Sequence, residues 1–412
     1  MEIDVVLADI RAVAASRRLD RVFGVVAQLA LAMMSAAAFA GMPGDDGPAI
    51  HAQVHAPGNV AVDSKGKLYI VQRKDNVVRE VARNGTITTI AGSGASVSSA
   101  GVLASSKGLQ DIATDANGNL YIAQAAYVDR PSYVREVSPS GAVTTVASSG
   151  PPSPTRQSGE AGALAYAVSA LAIGPDHALY VVDDGRCQKL SANGTITTLT
   201  GGPVLGYEGD DGPAIRAKLN MPGGIAVSPN GDIYIADTGN HRVRKISSKG
   251  VISTVAGNGV PDYSGDNGPA MAATLYRPAG IALDHRGNLY IADSGNHRIR
   301  KVSTSGIIST VAGNGAAAYA GDDGPAIEAA LYYPSGIALD DHDNLYIADT
   351  YNNRVRKVSP FGVITTVAGN GSEPLRPTPP PAPPPCMPGS VRCTPPPPSS
   401  PLAGSTPPGT HP

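Results

Sequence analysis

The chain has 412 residues, of which 48 are glycine, 36 are proline, 16% are charged, three are phenylalanine and none is tryptophan. This composition is typical of many short strands joined by tight turns and argues against a mainly helical protein. The net charge of −2 offers no general attraction to phosphates, so no nucleic acid partner is expected.

The N-terminal segment has the pattern of an export signal. Arg17, Arg18 and Arg21 precede an apolar run from Val22 to Ala40, which ends in the small-x-small sequence Ala38-Phe39-Ala40. Residues 1–40 are therefore interpreted as a secretory signal peptide. The alternative is an uncleaved signal anchor, which would be the membrane attachment of the protein. Either interpretation predicts an exported protein that is periplasmic, extracellular or associated with the cell envelope.

Residues 41–371 consist of six copies of one unit. A tyrosine recurs at intervals of 52 to 59 residues, and an alanine precedes each tyrosine by eight residues. The tyrosines are Tyr69, Tyr121, Tyr180, Tyr234, Tyr290 and Tyr346, and the alanines are Ala61, Ala113, Ala172, Ala226, Ala282 and Ala338. Matches at one fixed offset in all six copies identify an internal repeat.

Each unit has the pattern of four short strands. The clearest copy runs from Pro278 to Gly315 and divides into "GIALD", "NLYIAD", "HRIRKV" and "IISTVAG", separated by turn residues. Four such strands form a small antiparallel sheet that cannot bury both of its faces alone. The sequence therefore predicts an all-β fold, a six-bladed β-propeller of four-stranded antiparallel blades. A solenoid is the alternative. Closure of the ring is predicted either by packing of blades one and six or through residues 41–57.

A second motif lies between the units. "GDDGPAI" occurs at Gly44–Ile50, Gly209–Ile215 and Gly321–Ile327, occurs as "GDNGPAM" at Gly265–Met271, and is absent from copies two and three. It is interpreted as a structural connector with a helix start, in which an aspartate caps the helix and a proline occupies the first turn. Calcium binding is the alternative, but the motif supplies only two side-chain carboxylates.

The composition changes abruptly after Gly371. Residues 372–412 are rich in proline and are predicted to form a disordered, extended tail. Cys386 and Cys393 lie in this tail and would be able to form a disulfide in an oxidising compartment, whereas Cys187 stands alone in the body.

Three segments show a resemblance to a known family. "GNLYIADSGNHRIRKV" at Gly287–Val302, "GDIYIADTGNHRVRKI" at Gly231–Ile246 and "DNLYIADTYNNRVRKV" at Asp343–Val358 resemble NHL repeats. The surrounding pattern is most similar to the NHL modules of bacterial exported proteins and of the teneurin type. The resemblance implies a six-bladed propeller that acts as a non-enzymatic scaffold for protein or glycan ligands. Propeller lyases and lactonases resemble this fold as well. The alternative function is therefore that of a metal-dependent enzyme with an axial site.

The strand "HRIRKV" and its relatives carry a basic pattern. Strand alternation predicts that Arg242 and Arg244 share one face, and Asp237 precedes Arg242 by five residues across a tight turn. The interpretation is that Asp and Arg hold the turn and pair between strands or blades. RNA binding, known from cytoplasmic NHL proteins, is the alternative, and export and the net charge weigh against it.

One position near the start of the inner strand differs between the copies. Four copies have a small residue there, Ala170, Gly224, Gly280 and Gly336. The other two have a polar residue, Asn59 and Asp111. Asn59 and Asp111 are thus the candidates for an axial site, although two residues do not make a metal centre. No catalytic residue, metal site or cofactor is predicted, apart from the calcium alternative.

Large side chains precede the inner strands of copies five and six. Tyr276, Arg277, Tyr332 and Tyr333 belong to residue types that are enriched at recognition surfaces. They are the candidate binding residues, and packing between blades is the competing interpretation.

Overall fold

The computed structural model describes residues 42–92, 108–125, 131–149, 161–164, 168–183, 185–202 and 204–372, except for the side chains of 161–163. All of these residues belong to the first of the two units into which the chain divides, residues 1–373. The predicted signal segment, the proline-rich segment from residue 373 onwards, Cys386 and Cys393 lie outside the described residues. Within the described ranges, no helix has the length and apolar character needed to cross a bilayer.

Six small sheets follow one another along the chain, and each is one blade. Blade 1 consists of β1 (Gly47–Pro48), β2 (Pro57–Val62), β3 (Leu68–Gln72), β4 (Val77–Val81) and β5 (Thr86–Gly92). Blade 2 consists of β6 (Leu109–Thr114), β7 (Leu120–Gln124), β8 (Tyr133–Val137), β9 (Val143–Ser148) and β10 (Ala161–Ala163). Blade 3 consists of β11 (Val168–Ile173), β12 (Leu179–Asp183), β13 (Arg186–Leu190) and β14 (Ile196–Gly201).

The second half of the ring is more regular. Blade 4 consists of β15 (Gly212–Pro213), β16 (Gly224–Val227), β17 (Ile233–Asp237), β18 (Arg242–Ile246) and β19 (Val251–Ala256). Blade 5 consists of β20 (Pro278–Leu283), β21 (Leu289–Asp293), β22 (Arg298–Val302) and β23 (Ile308–Ala312). Blade 6 consists of β24 (Pro334–Leu339), β25 (Leu345–Asp349), β26 (Arg354–Val358) and β27 (Ile364–Ala368). Short 3₁₀ helices are Ala49–His51, Ala214–Arg216, Thr238–Asn240, Ser294–Asn296 and Thr350–Asn352.

Every blade has the same topology, which confirms the predicted six-bladed propeller. Four consecutive strands, here named a to d from the inside outwards, pair antiparallel in chain order. The period-two pattern of "NLYIAD" explains strand b, because Leu289 and Ile291 are buried while Tyr290 on the other face is half-buried. The fifth strands, β1, β10 and β15, come from the connectors and pair with an outer strand d.

The apolar core lies between the blades. Val243 and Ala256 of blade 4 share one buried cluster with Leu275 of the following connector and with Ile281 and Ile291 of blade 5. The clusters between the other neighbours are built in the same way. No single blade could bury this surface alone, so stacking supplies the core.

The ring closes with the contacts that join consecutive blades elsewhere. Gly313 N donates to the carbonyl oxygen of Ala326, and Gly369 N donates in the same way to Ala49 at the closure, each at 2.9 Å. An apolar cluster between blades 6 and 1 includes Val355 and Ile70. Closure therefore uses both predicted routes, face packing and part of residues 41–57, and among the described strands none is exchanged between the first and last blades.

The "GDDGPAI" connector differs from its predicted form. Ala49–His51 is one 3₁₀ turn that follows Pro48, and no side chain caps it. The predicted capping aspartate is wrong, because the second acidic residue of the motif, Asp323, adopts a left-handed φ of 64°. The motif instead places its Gly-Pro segment against strand d of the blade that follows, as Gly212–Pro213 does against β19.

Candidate functional site

In blades 4 to 6, a buried arginine of strand c forms ion pairs at the C-terminal end of strand b. In blade 5, Arg300 is 0% exposed. Its guanidinium lies 3.2 Å from Asp293 at the end of strand b and 2.7 Å from Asp266, the first acidic residue of the connector motif. Arg244 and Arg356 make the same two ion pairs in blades 4 and 6. The predicted pairing of Asp with Arg is confirmed, and both partners belong to one blade and its connector.

The prediction that Arg242 and Arg244 share one face is confirmed. Both guanidinium groups lie over the ring of Tyr207, at 4.0 and 4.8 Å from its centre. Strand c pairs with strand b without a register shift, and the irregularity beside it is an extra residue of strand d, Val255. Arg242 is half-exposed, whereas Arg244 is buried and reaches both aspartates.

This ion-pair network also holds the connectors that carry the candidate tyrosines. Asp293 Oδ1 accepts a 2.7 Å hydrogen bond from Tyr276 N, and Asp349 Oδ1 accepts the equivalent bond from Tyr332 N. The aspartate that neutralises the arginine thus fixes the backbone of the connector that leads into its own blade. Because Asp293 and Asp349 are fully buried, this hydrogen bond anchors the connector beneath the tyrosine rings.

Seven side chains in two groups lie at the propeller end that carries the b–c turns and the connectors, and we name them together the tyrosine face. Its members are Tyr276, Arg277, Tyr332, Tyr333, Tyr351, His241 and His297. The ring of Tyr351 lies 5.1 Å from that of Tyr332 and 5.3 Å from that of Tyr333, measured between centroids. His241 and His297 pack edge-on against Tyr276 and Tyr332 at 5.7 and 5.6 Å.

The rings of this face are both packed and accessible. Tyr276 is 39% exposed, Tyr332 is 38% exposed and Tyr351 is 55% exposed. Arg277 is also exposed, whereas Tyr333 is half-buried. The two interpretations of these residues, packing and binding, are therefore compatible, because one edge of each ring fixes it and the remainder faces solvent.

The histidines of the face are positioned as neutral acceptors. His241 Nδ1 accepts from Arg277 N at 3.2 Å, and His297 Nδ1 accepts from Tyr333 N at 3.1 Å. Burial lowers the pKa of both imidazoles, and nearby arginines lower it further. Each imidazole thus links a b–c turn to the connector that follows its blade. Because Nδ1 accepts a hydrogen bond, the proton of the neutral ring is on Nε2, which remains to donate to a ligand.

Sequence reasoning missed three members of this face. Tyr351, His241 and His297 lie in b–c turns. The signal that could have found them is topological, because the b–c turns and the connectors leave the blade at the same end.

Asn59 and Asp111 meet on neighbouring inner strands, apart from the tyrosine face. Asn59 Nδ2 donates to Asp111 Oδ1, which also accepts from Ile112 N, and Asp111 Oδ2 accepts from Leu171 N in blade 3 at 2.7 Å. Both oxygens of this carboxylate are thus engaged, and Asp111 is 3% exposed. The pair joins blades 1, 2 and 3 near the axis. Across the described ranges, no group of three or more His, Cys, Asp or Glu side chains is arranged to hold a metal ion.

Asp111 leads to a prediction about pH. Burial raises its pKa to about 6, although the two backbone amides and Arg73 oppose the shift. A folded pKa above the unfolded value of about 3.9 means that this carboxyl contributes less stability as the pH rises from about 4 to about 6. The free energy of unfolding of the wild type, relative to that of Asp111→Asn, should fall by about 2 kcal/mol between pH 4.5 and 7.5. Urea unfolding at the two pH values measures it, and a pH-independent difference would contradict the assignment.

Comparison with known proteins agrees with this architecture. The NHL repeat model matches residues 219–246 and 331–358, and the teneurin NHL domain model matches residues 258–318. These matches fall on blades 4, 5 and 6 and their connectors. The chain is a six-bladed β-propeller that contains NHL repeats.

Relatives of this NHL propeller are found among much longer proteins. Mouse Teneurin-3 is 28% identical over 281 residues, which cover 63% of this chain and 8% of Teneurin-3. Among solved structures, a protein of unknown function from Bacteroides thetaiotaomicron aligns with a TM-score of 0.57 at 20% identity, covering 77% of this chain and 72% of that one. An auxiliary nutrient binding protein from Bacteroides ovatus aligns with a TM-score of 0.56 at 17% identity, covering 79% and 72%. At these identities, the structural likeness concerns the fold.

Proposed function

We propose that this NHL propeller is an exported, non-catalytic recognition module that binds a protein or a cell-surface glycan through the tyrosine face. The observation that carries the proposal is the group of three exposed tyrosine rings, Tyr276, Tyr332 and Tyr351, on a base of buried ion pairs. A rigid surface loses little conformational entropy on binding, and tyrosine offers a large contact area with a polar hydroxyl.

The relatives support a binding role of this general kind. The fold is shared with an auxiliary nutrient binding protein, and the teneurin NHL domain model matches blade 5 and its connectors. The predicted signal segment at residues 1–40 supports export, because it would place the tyrosine face outside the cytoplasm.

A double variant tests the tyrosine face. Tyr332→Ala/Tyr351→Ala removes two rings that pack edge-on and should weaken binding at least about tenfold, since clustered aromatic anchors commonly contribute more than 1 kcal/mol each. The probes are an array of immobilised glycans and an array of purified cell-surface proteins, both screened first with the wild type. The array that gives a saturable signal identifies the ligand class.

The control is Phe361→Ala. Phe361 is 94% exposed and lies in the c–d turn at the other end of blade 6. It should leave binding unchanged, and both variants should unfold cooperatively. Equal binding by the double variant and the wild type would refute the role of this face.

A further inference from the structure

One position on strand c changes its charge between blades. It lies directly opposite the strand-b tyrosine, as Lys301 lies opposite Tyr290 and Glu136 lies opposite Tyr121. The residue is acidic in blades 1 and 2 and basic in blades 3 to 6. The series is Glu80, Glu136, Lys189, Lys245, Lys301 and Lys357.

In the blades with lysine, the ammonium occupies a defined cradle. Lys301 Nζ lies 3.6 Å from Asp284 in the a–b turn and 5.0 Å from the centre of the Tyr290 ring. Lys189 Nζ lies 2.5 Å from Asp176 and 5.5 Å from the Tyr180 ring. A carboxylate on one side and an aromatic face on the other are the usual surroundings of a bound ammonium group.

Blade 1 has no lysine at this position, but another lysine of the blade supplies the positive charge. Glu80 stands at the lysine position, and Lys67 from the start of strand b approaches it at 2.8 Å. The charge of blade 1 is therefore balanced from within the blade.

Blade 2 keeps the cradle, but its described residues place no lysine or arginine in it. Asp115 Oδ1 accepts from two turn amides, and its Oδ2 accepts from Asn119 Nδ2 and the Tyr121 hydroxyl, as Asp284 does in blade 5. Glu136 replaces the lysine, and Asn119 stands where blade 1 has Lys67. In the part of the chain that the structure describes, neither Asp115 nor Glu136 has a lysine or arginine partner.

The electrostatics of blade 2 show the effect of the missing cation. Burial raises the pKa of Glu136, and the neighbouring charge of Asp115 raises it further. Burial, together with the charges of Glu136 and Asp115, raises the pKa of Tyr121 to about 12. A positive charge at this point would relieve the repulsion between the two carboxylates.

The cradle of blade 2 opens into a cleft between blades 2 and 3. The cleft has a volume of about 390 Å³. Tyr121 and Glu136 line one side, and the side formed by blade 3 carries the apolar Ile173, Leu179 and Leu190 together with His177 and Ser191 of its turns. This cleft is at the end of the propeller that carries the a–b and c–d turns, opposite the tyrosine face.

We infer that the cleft between blades 2 and 3 binds a primary ammonium group on an apolar stem, which takes the place of the lysine that blades 3 to 6 supply themselves. The ammonium lies between Asp115, Glu136 and the Tyr121 ring, and the stem packs on the leucines of blade 3. Two sources have this chemistry, the lysine side chain of a partner protein and a free aliphatic diamine. The site does not depend on the tyrosine face.

Calorimetric titration of the full chain tests the site with three probes. These are cadaverine, Nα-acetyl-lysine methylamide and the Nε-acetylated form of the latter, which has no ammonium. The wild type should bind at least one of the first two, with an affinity that falls as salt is added, and should not bind the third.

The key variant is Glu136→Lys, which installs the residue of blades 3 to 6 next to Asp115. Because the variant reproduces an ion pair already present in this fold, it should fold with at least wild-type thermal stability. It should bind the amine at least about tenfold more weakly, since its own ammonium fills the cradle. Glu328→Lys makes the same charge change at an exposed position and should bind as the wild type does.

The outcomes decide both the chemistry and the source. Cadaverine binding that Glu136→Lys removes assigns a free diamine, and binding of the lysine derivative alone assigns a partner's side chain. The inference is overturned if the wild type binds neither amine at millimolar concentration. It is also overturned if Glu136→Lys and Glu328→Lys bind equally well, or if the Nε-acetylated probe binds like its parent.

Discussion

Replacing Arg300 by glutamine should lower the free energy of unfolding by about 3–5 kcal/mol, because it leaves two carboxylates without their counter-ion. Arg300 is fully buried, as is Asp293, and Asp266 is the second partner. Glutamine is the residue that blade 3 has at this position, Gln188, so the side chain is compatible with the strand. Chemical unfolding at neutral pH measures the loss.

Two further variants show whether charge is the cause. Arg298→Gln removes a half-exposed arginine of the same strand that stacks on Tyr263 at 3.7 Å, and it should cost about 1 kcal/mol. Arg300→Gln/Asp293→Asn should be more stable than the sum of the single effects by about 1 kcal/mol or more, because one of the unpaired charges is gone. Equal losses for Arg300→Gln and Arg298→Gln would show that the buried ion pairs contribute little.

Adding one methyl group at Gly280 should destabilise the ring by about 3 kcal/mol. A Cβ at this position would lie 2.5 Å from the carbonyl oxygen of Ser335, 2.9 Å from Gly336 Cα and 3.0 Å from Ile337 N. All three atoms belong to the backbone of the next inner strand, so no side chain can turn away. Gly280→Ala must therefore push blades 5 and 6 apart, and thermal unfolding should show a lowered Tm.

Gly202→Ala is the matched control for Gly280→Ala. A Cβ at Gly202 meets nothing within 4 Å, so the substitution should change the stability by less than about 1 kcal/mol. If Gly280→Ala were as stable as Gly202→Ala, close approach of the inner strands would not explain the glycines near the axis.

The periodic part of this protein was predictable from the sequence. The spacing of Tyr290 and its equivalents set the number of blades, and the alternation in "NLYIAD" set the buried face of strand b. Local exceptions were not predictable. Strand d carries an extra residue opposite Val243 and Arg244, and the first aspartate of "GDDGPAI" binds an arginine 34 residues away rather than capping a helix.

The candidate binding residues show the same division. Tyr276, Arg277, Tyr332 and Tyr333 were found because they are large side chains directly before an inner strand. Tyr351 belongs with them only because a b–c turn and a connector meet at one end of the propeller. Asn59 and Asp111 were correctly placed near the axis, and the structure adds that Leu171 N of a third blade contacts the same carboxylate.

The sequence by itself determined the repeat, the strand order within a blade and the number of blades, because these depend on short-range hydrophobic periodicity and on turn residues. Only the tertiary structure decided which charges are compensated. Glu136 is visible in the sequence as a departure from lysine, but whether any described residue compensates its charge depends on what the neighbouring turn and blade place around it. Ion pairs form through space between segments distant in the chain, so their presence or absence is a property of the closed ring.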